Sequence, residues 1–246
     1  MEKFVAYILT GVYAIFFLLT LLIFHPIQWL CFNVFGYQAH KKSVDWLQFF
    51  IMRCTNILGT RYTFTNNYNI PTNQPLIIVA NHQSMYDISP IMWFMRKHHT
   101  KFISKQELGK GIPSVSYNLR HGGSVLIDRK NPRQSLPAIM NFGAYIEATN
   151  RAAVIFPEGT RSKNGRPKPF QTKGLEVLFK KIPSAIIVPL TINNSWKMLK
   201  YGKFPMGIGN HIKLTVHEPI KLATFEGDKA VLIKQLETTI SQAVEL

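Results

Sequence analysis

Charge is what the first part of this sequence lacks: from Phe4 to Tyr37 there is no lysine, arginine, aspartate or glutamate. Over all 246 residues only 17% are charged, below the roughly 25% of a typical soluble domain. Acid is scarcest, with 13 Asp+Glu against 29 Lys+Arg and a formal net charge of +16. Such an excess suits a polyanionic partner: nucleic acid, an anionic membrane surface or a phosphorylated substrate. The uncharged amino-terminal run decides for the membrane, and nucleic acid is not expected as a partner. The two cysteines, Cys31 and Cys54, fit no metal or redox spacing, so two reduced thiols are expected and a disulfide is not. No G-x-S-x-G occurs, so the nucleophile elbow of a lipase or esterase is missing. Internal repeats and low-complexity linkers are absent as well.

The uncharged run is long. Phe4 to Phe24 alone would form a helix of about 31 Å, enough to cross a bilayer. Three features argue against a cleavable signal peptide: the apolar stretch is too long, its one lysine stands beside a glutamate, and no A-x-A site follows. Pro26 divides the stretch, and Ile27 to Tyr37 is too short to span. Two geometries stay open, one spanning helix with an interfacial segment, or two helices folded as a hairpin in one leaflet. A buried core helix is the bland alternative. Trp29 and Tyr37 read as interfacial anchors, and His40-Lys41-Lys42 as residues that meet phospholipid headgroups. From Val44 to Leu58, Leu47, Phe50, Ile51, Cys54, Ile57 and Leu58 recur at helical spacing, and Gly59 supplies a stop. That helix either packs on the domain that follows or lies on the membrane.

After it, strands and helices alternate as in an α/β domain. Strands are expected at 61–65, 76–80, 101–104, 123–128, 152–156, 186–192 and 212–217, and helices at 89–97, 136–150, 172–181 and 229–244. The apolar run Leu76-Ile77-Ile78-Val79-Ala80 leads into Asn81-His82-Gln83-Ser84-Met85-Tyr86-Asp87. A histidine and, five residues later, a carboxylate thus leave a buried strand at its carboxyl end, where open α/β sheets place their sites. On one continuous helix the two would point about 140° apart. They meet only across a turn, for which Asn81 and Ser84 are suited, with Pro90 in the first turn of the next helix. Asp87 would then fix the tautomer of His82 and leave the other ring nitrogen to take a proton. With Ser84 too near His82 and no serine elbow, the hydroxyl to be activated belongs to the substrate. No metal is implied, because His82 and Asp87 lack further ligands. The His98-His99 pair reads as surface.

Three more stretches end strand candidates. Gly123-Ser124-Val125-Leu126-Ile127-Asp128-Arg129 closes on a charged pair, and Lys101-Phe102-Ile103-Ser104-Lys105 brings out Lys105. In Phe156-Pro157-Glu158-Gly159-Thr160-Arg161-Ser162, Gly159 permits close backbone approach, Thr160 offers a hydroxyl and Arg161 a fixed fork of donors. Such a turn suits a phosphate monoester, which arginine grips bidentately. Lys163, Arg166 and Lys168, in the loop that follows, read as a solvated loop or as a hold on anionic lipid.

NHQSMYD, GSVLIDR and FPEGTRS, in that order, resemble the blocks of the lysophosphatidic acid acyltransferase family, the PlsC-type glycerolipid acyltransferases. KQELGKGIP, PFQTKG and Val188-Pro189 fit as well, so the resemblance covers Leu76 to Leu190. It implies a mixed, largely parallel central sheet flanked by helices, an α/β acyltransferase domain over 61–246, and a membrane-attached helical hairpin region over 1–60. It further implies His82 as general base, Asp87 as its orienting carboxylate, Arg129 as a grip on the acceptor's phosphate, and Glu158, Gly159, Thr160 and Arg161 as the block that binds the acceptor. Lys105 corresponds to a basic residue at the pocket, and Val188-Pro189 to a block that shapes it. PFQTKG departs from the family in lacking a basic residue nearer the phenylalanine. The implied reaction acylates lysophosphatidic acid to phosphatidic acid with acyl-CoA or acyl carrier protein as co-substrate and no cofactor, at the cytoplasmic face of a membrane. Another acceptor, or lipid binding without catalysis, is the alternative.

Overall fold

The structure, a computed structural model, describes residues 2–245. An eight-stranded mixed sheet forms its centre: β1 (Arg61–Thr65), β2 (Leu76–Ala80), β3 (Thr100–Lys105), β4 (Val125–Ile127), β5 (Ala152–Ile155), β6 (Ile186–Asn193), β7 (His211–Val216) and β8 (Ile220–Lys221). The spatial order is β1-β7-β6-β2-β5-β3-β4, with β8 paired to β6. From β6 through β2, β5 and β3 to β4 every pairing is parallel, whereas β7 and β8 run antiparallel to β6. β2 is central, and all five of its residues are buried. Its alternate side chains serve two cores. Leu76, Ile78 and Ala80 face one shared with Tyr13, Val44 and Ile91, while Ile77 and Val79 face another with Ile146, Leu178 and Leu236.

The first core is roofed by α1 (Glu2–Asn56) and α2 (Ile88–Phe94). The second is covered by α4 (Pro132–Thr149), α5 (Thr172–Lys181) and α6 (Lys229–Gln242). A short α3 (Val115–His121) packs against α1 near the sheet's β4 edge. Of these, α5 occupies its expected range, but α3 and β8 are additional to the sequence expectations.

Within α1 the break is not at Pro26. The helix continues through that proline and turns at Gly36, whose φ of 78° and ψ of −169° only glycine adopts readily. A proline removes one helical hydrogen bond, whereas a reversal needs a backbone that leaves the helical region. The two limbs run back along each other, with Phe32 against His40, Phe24 against Phe50 and Thr20 against Cys54. The result is a helical hairpin about Gly36.

Its first limb is docked along its length. Glu2 pairs with Lys200 at 2.8 Å, and Thr10 Oγ1 accepts from Met206 N at 2.9 Å. Tyr13 donates to Tyr86 at 3.2 Å, Leu21 O accepts from Ser114 Oγ at 2.6 Å, and Asn33 donates to Tyr117 at 3.0 Å. The second limb buries Leu47, Ile51, Cys54 and Leu58 against the domain, so the packing alternative holds for that helix. Two anchors expected at headgroups are turned inward: His40 is buried, and Tyr37 lies against Arg151 and His99. His98 is buried too, contrary to a surface reading. Both cysteines are free thiols.

Candidate active site

Because β6, β2, β5, β3 and β4 are parallel neighbours, their carboxyl ends form one row. Along it stand Ser195 after β6, His82 after β2, Glu158 to Arg161 after β5, Lys105 ending β3 and Arg129 after β4. The turn after β2 is fixed first. Asn81 donates to the carbonyl of Ile192 at 2.8 Å and accepts from that residue's amide at 2.7 Å, joining the turn to β6. Ser84 then caps a single turn of 3₁₀ helix, Met85 to Asp87, and its hydroxyl accepts from Tyr86 N at 3.1 Å. This turn folds Asp87 back on His82, and the two side chains meet at 2.8 Å through Nδ1 and Oδ2.

Asp87 is fully buried and well supplied with donors. Oδ2 also accepts from the amides of Gln83 at 2.8 Å and Ser84 at 2.9 Å, and Oδ1 accepts from the Ser195 hydroxyl. Ser195 is placed in turn by Gln83, whose Oε1 accepts its amide at 3.1 Å. The imidazole stacks on Phe156, with ring centroids 4.1 Å apart and an interplanar angle of 15°. With Nδ1 committed to Asp87, Nε2 has no partner among the described residues.

The turn after β5 is bound to the same histidine. Glu158, 3% exposed, accepts from His82 N at 2.8 Å and from Lys168 N at 3.0 Å, while the His82 carbonyl accepts from Ser162 N at 2.7 Å. Burial pushes the Glu158 carboxyl up to about 7, against the downward pull of those two amides. Gly159 has φ +69°, and a Cβ there would stand 2.9 Å from Gln171 Nε2. Its carbonyl accepts from Arg129 Nη1. Lys168 spans the loop, donating to Thr160 Oγ1 at 2.8 Å and to Arg161 O at 3.0 Å, so this exposed lysine braces the turn.

Arg129 lies close enough to Arg161 to feel its charge. Desolvation and then Arg161 hold the Arg129 guanidinium below its ordinary value, with Glu107 opposing. Neither arginine is paired with a carboxylate among the described residues. Two exposed guanidiniums held together without an acid are suited to an anion. Lys105 is exposed, pairs in register with Ile127 two residues before Arg129, and makes no side-chain hydrogen bond among the described residues. Val188 and Pro189 lie buried in mid-strand β6 beside Ile78 and Val79.

Residues 61–193, more than half of the chain, match the family model described as Acyltransferase. The chain belongs to the acyltransferase family. The match starts with β1 and ends with β6, so it contains every expected site residue and excludes α1. Among relatives, the chain is 28% identical over 251 residues to the chloroplastic 1-acyl-sn-glycerol-3-phosphate acyltransferase of Arabidopsis thaliana, covering 97% of this chain and 63% of that protein. It is 34% identical over 126 residues to the 1-acyl-sn-glycerol-3-phosphate acyltransferase of Helicobacter pylori, covering 50% of each. The chain therefore spans about half to two thirds of the length of these relatives. Its fold is similar to the crystal structure of the 1-acyl-sn-glycerophosphate acyltransferase PlsC from Thermotoga maritima, with a TM-score of 0.77 at 23% identity, covering 98% of this chain and 95% of that one.

Proposed function

We propose that this acyltransferase moves an acyl chain from an acyl thioester to the free sn-2 hydroxyl of lysophosphatidic acid, giving phosphatidic acid. The observation that carries the reading is the His82–Asp87 pair, its carboxylate fully buried and its outer imidazole nitrogen unpartnered. Nε2 takes the proton of the acceptor hydroxyl as that oxygen attacks the thioester carbonyl. Asp87 stabilises the imidazolium that forms. Collapse of the tetrahedral intermediate breaks the carbon–sulfur bond, and the thiolate leaves with the proton held by His82. A thioester is already activated, so no acyl-enzyme is needed. General base catalysis supplies about 10²–10⁴-fold, and positioning of the acceptor by Arg129, Arg161, Thr160 and Lys105 adds to it. The donor is acyl-CoA or acyl carrier protein, both of which carry the same thioester.

The α1 hairpin supports a membrane setting. Ile15, Leu19, Leu22, Leu30 and Phe35 are between 47% and 67% exposed, a continuous apolar face no soluble protein leaves bare without cost. Because the first limb is docked from Glu2 to Asn33, that face enters one leaflet while the domain stays at its surface. A thioester made in the cytosol then places the site at the cytoplasmic face.

The test is acyl transfer by purified protein in vesicles. Labelled thioester is offered with lysophosphatidic acid, lysophosphatidylcholine or glycerol 3-phosphate, alongside His82→Ala. Phosphatidic acid formed by the wild type alone supports the reading. Turnover confined to another acceptor would replace the substrate, and no turnover would leave lipid binding without catalysis. Arg129→Ala and Arg161→Ala should raise KM for lysophosphatidic acid far more than for the thioester, and equal effects would remove the phosphate role.

A further inference from the structure

At the opposite end of the sheet from His82, the elbow of α1 closes a small cavity over the amino end of β3. Its wall includes His40, Lys41, Asp45, His99, Lys101 and Asn118, and it has room for about one oxygen-sized group. Lys101 is only 6% exposed, yet its ammonium forms no hydrogen bond or ion pair among the described residues. The ring of Tyr37 lies 5.1 Å from it, and the charge of Asp45 is felt from farther off. Arg151 lies 3.9 Å over the same ring. The cavity's one carboxylate, Asp45, is taken by Lys41 at 2.5 Å. His40 is 1% exposed, and neither of its ring nitrogens has a partner.

A largely buried ion without a counter-ion is costly, and a buried polar atom without a partner costs more than it would in water. Here Lys41, Lys101 and the imidazoles of His40 and His99 share one cavity whose single acid, Asp45, is already paired with Lys41. Burial, then Arg151, then Lys41 push the Lys101 ammonium down to about 7, with Asp45 opposing. An anion would meet all of these groups at once. We propose that the cavity is an anion site that takes one oxygen of a phosphate group, supplied by an anionic phospholipid headgroup or by free phosphate. The setting favours phosphate over a halide. Trp29, Leu30, Val34 and Phe35 are exposed beside the elbow, on the face assigned above to the membrane, and Lys42 stands exposed next to Lys41. A headgroup at that depth reaches the cavity with one oxygen and keeps the others outside. Seated there, it ties the hairpin elbow to β3 and to Arg151, and makes the docking of α1 depend on the lipid.

The test is thermal unfolding of the full chain in neutral detergent at fixed ionic strength. Sodium phosphate is titrated against a sodium chloride control, and phosphatidylglycerol-doped micelles are compared with phosphatidylcholine-doped ones. Phosphate is expected to raise Tm in the wild type and equally in Arg129→Ala, which lacks a grip at the catalytic end. Lys101→Met should need at least about tenfold more phosphate for the same rise. Asn118→Asp supplies a carboxylate from the cavity wall, and should raise Tm without phosphate and remove the phosphate response. This variant decides the matter if Lys101→Met does not fold. A response to phosphatidylglycerol that Lys101→Met loses identifies the headgroup as source, and a response to phosphate alone identifies the free ion. The proposal is overturned if chloride acts like phosphate, if Lys101→Met titrates like the wild type, if only Arg129→Ala loses the response, or if neither phosphate nor phosphatidylglycerol moves Tm.

Discussion

Removing one hydroxyl, in Ser195→Ala, separates what holds Asp87 in place from what holds it against His82. Asp87 Oδ2 has three donors, namely the His82 ring and the amides of Gln83 and Ser84, whereas Oδ1 has the Ser195 hydroxyl. All of this is buried, and Ser195 itself is 0% exposed, so water does not replace the lost group readily. A hydrogen bond to a charged group contributes about 1.5–3 kcal/mol, and that is the expected loss of stability. For a chain of this size it lowers Tm by roughly 3–12 °C. The effect on chemistry should be smaller, because the ring keeps its bond to Oδ2. We expect kcat to fall less than about tenfold in Ser195→Ala, against a loss of about a thousandfold or more in Asp87→Asn, where the orienting acceptor itself is changed. The assay is kcat by labelled acyl transfer together with Tm, for both variants. If Ser195→Ala loses as much kcat as Asp87→Asn while its Tm is unchanged, the hydroxyl takes part in the reaction and the reasoning fails.

Other expectations follow from single features. For Glu158, whose folded value of about 7 exceeds its ordinary 4.5, the unfolded chain releases the proton first, so stability is full below about 4.5 and is lost as pH rises to about 7. The loss is at most about 1.4 kcal/mol per pH unit, and Glu158→Gln, which cannot ionise, should be flatter between pH 5 and 7 by denaturant unfolding. Gly36→Ala meets no atom within 4 Å, so any cost is backbone strain alone, about 1–3 kcal/mol, read as a lower Tm with acyl transfer retained. Leu19→Glu combined with Ile23→Glu alters only exposed positions and should leave Tm in detergent unchanged while weakening vesicle binding at least tenfold. Truncating the hairpin is a poorer test, since Tyr13 and Leu21 are buried in it and their loss would open the core.

Much of the fold was legible because both faces of the sheet are covered. Strands such as Leu76-Ile77-Ile78-Val79-Ala80 then carry an unbroken apolar run, and their ends show as the first polar residue. The His82–Asp87 pairing was legible because the residues that close the turn are local, a capping serine and a proline within a few positions, although β6 and the turn after β5 also hold it. Ser195 was not, since it reaches Asp87 across 108 positions and nothing about Asn194-Ser195-Trp196 differs from an ordinary loop. The helix α3 escaped because Val115 to His121 offers less than two turns of weak periodicity. Pro26 drew the break to itself, yet the decisive signal was Gly36, where the chain needs a conformation other residues avoid. His40 misled in a different way. A polar residue is exposed only when a solvated position is available, and at the elbow of α1 this ring packs against Phe32 and Tyr117 instead.

The turn after β5 carries an arginine and a threonine that suit an anionic substrate, but its hydrogen bonds point first to His82. Glu158 holds the amide of His82, Ser162 holds its carbonyl, and Phe156 supports the face of its ring. The same turn offers Gly159 O to Arg129, and Lys168 braces Thr160 and Arg161 from behind. This turn therefore holds the backbone of His82 and the guanidinium of Arg129 together through hydrogen bonds. A proton acceptor and a phosphate grip built on separate loops would each wander by their own motions, and a displacement of 1 Å is enough to lose most of the benefit of positioning. Here the distance between them is set by backbone hydrogen bonds on adjacent parallel strands, β2 and β5. The buried Glu158 side chain ties the turn after β2 to the turn after β5 through the amides of His82 and Lys168, which gives an acid a structural place in a turn that also carries basic residues.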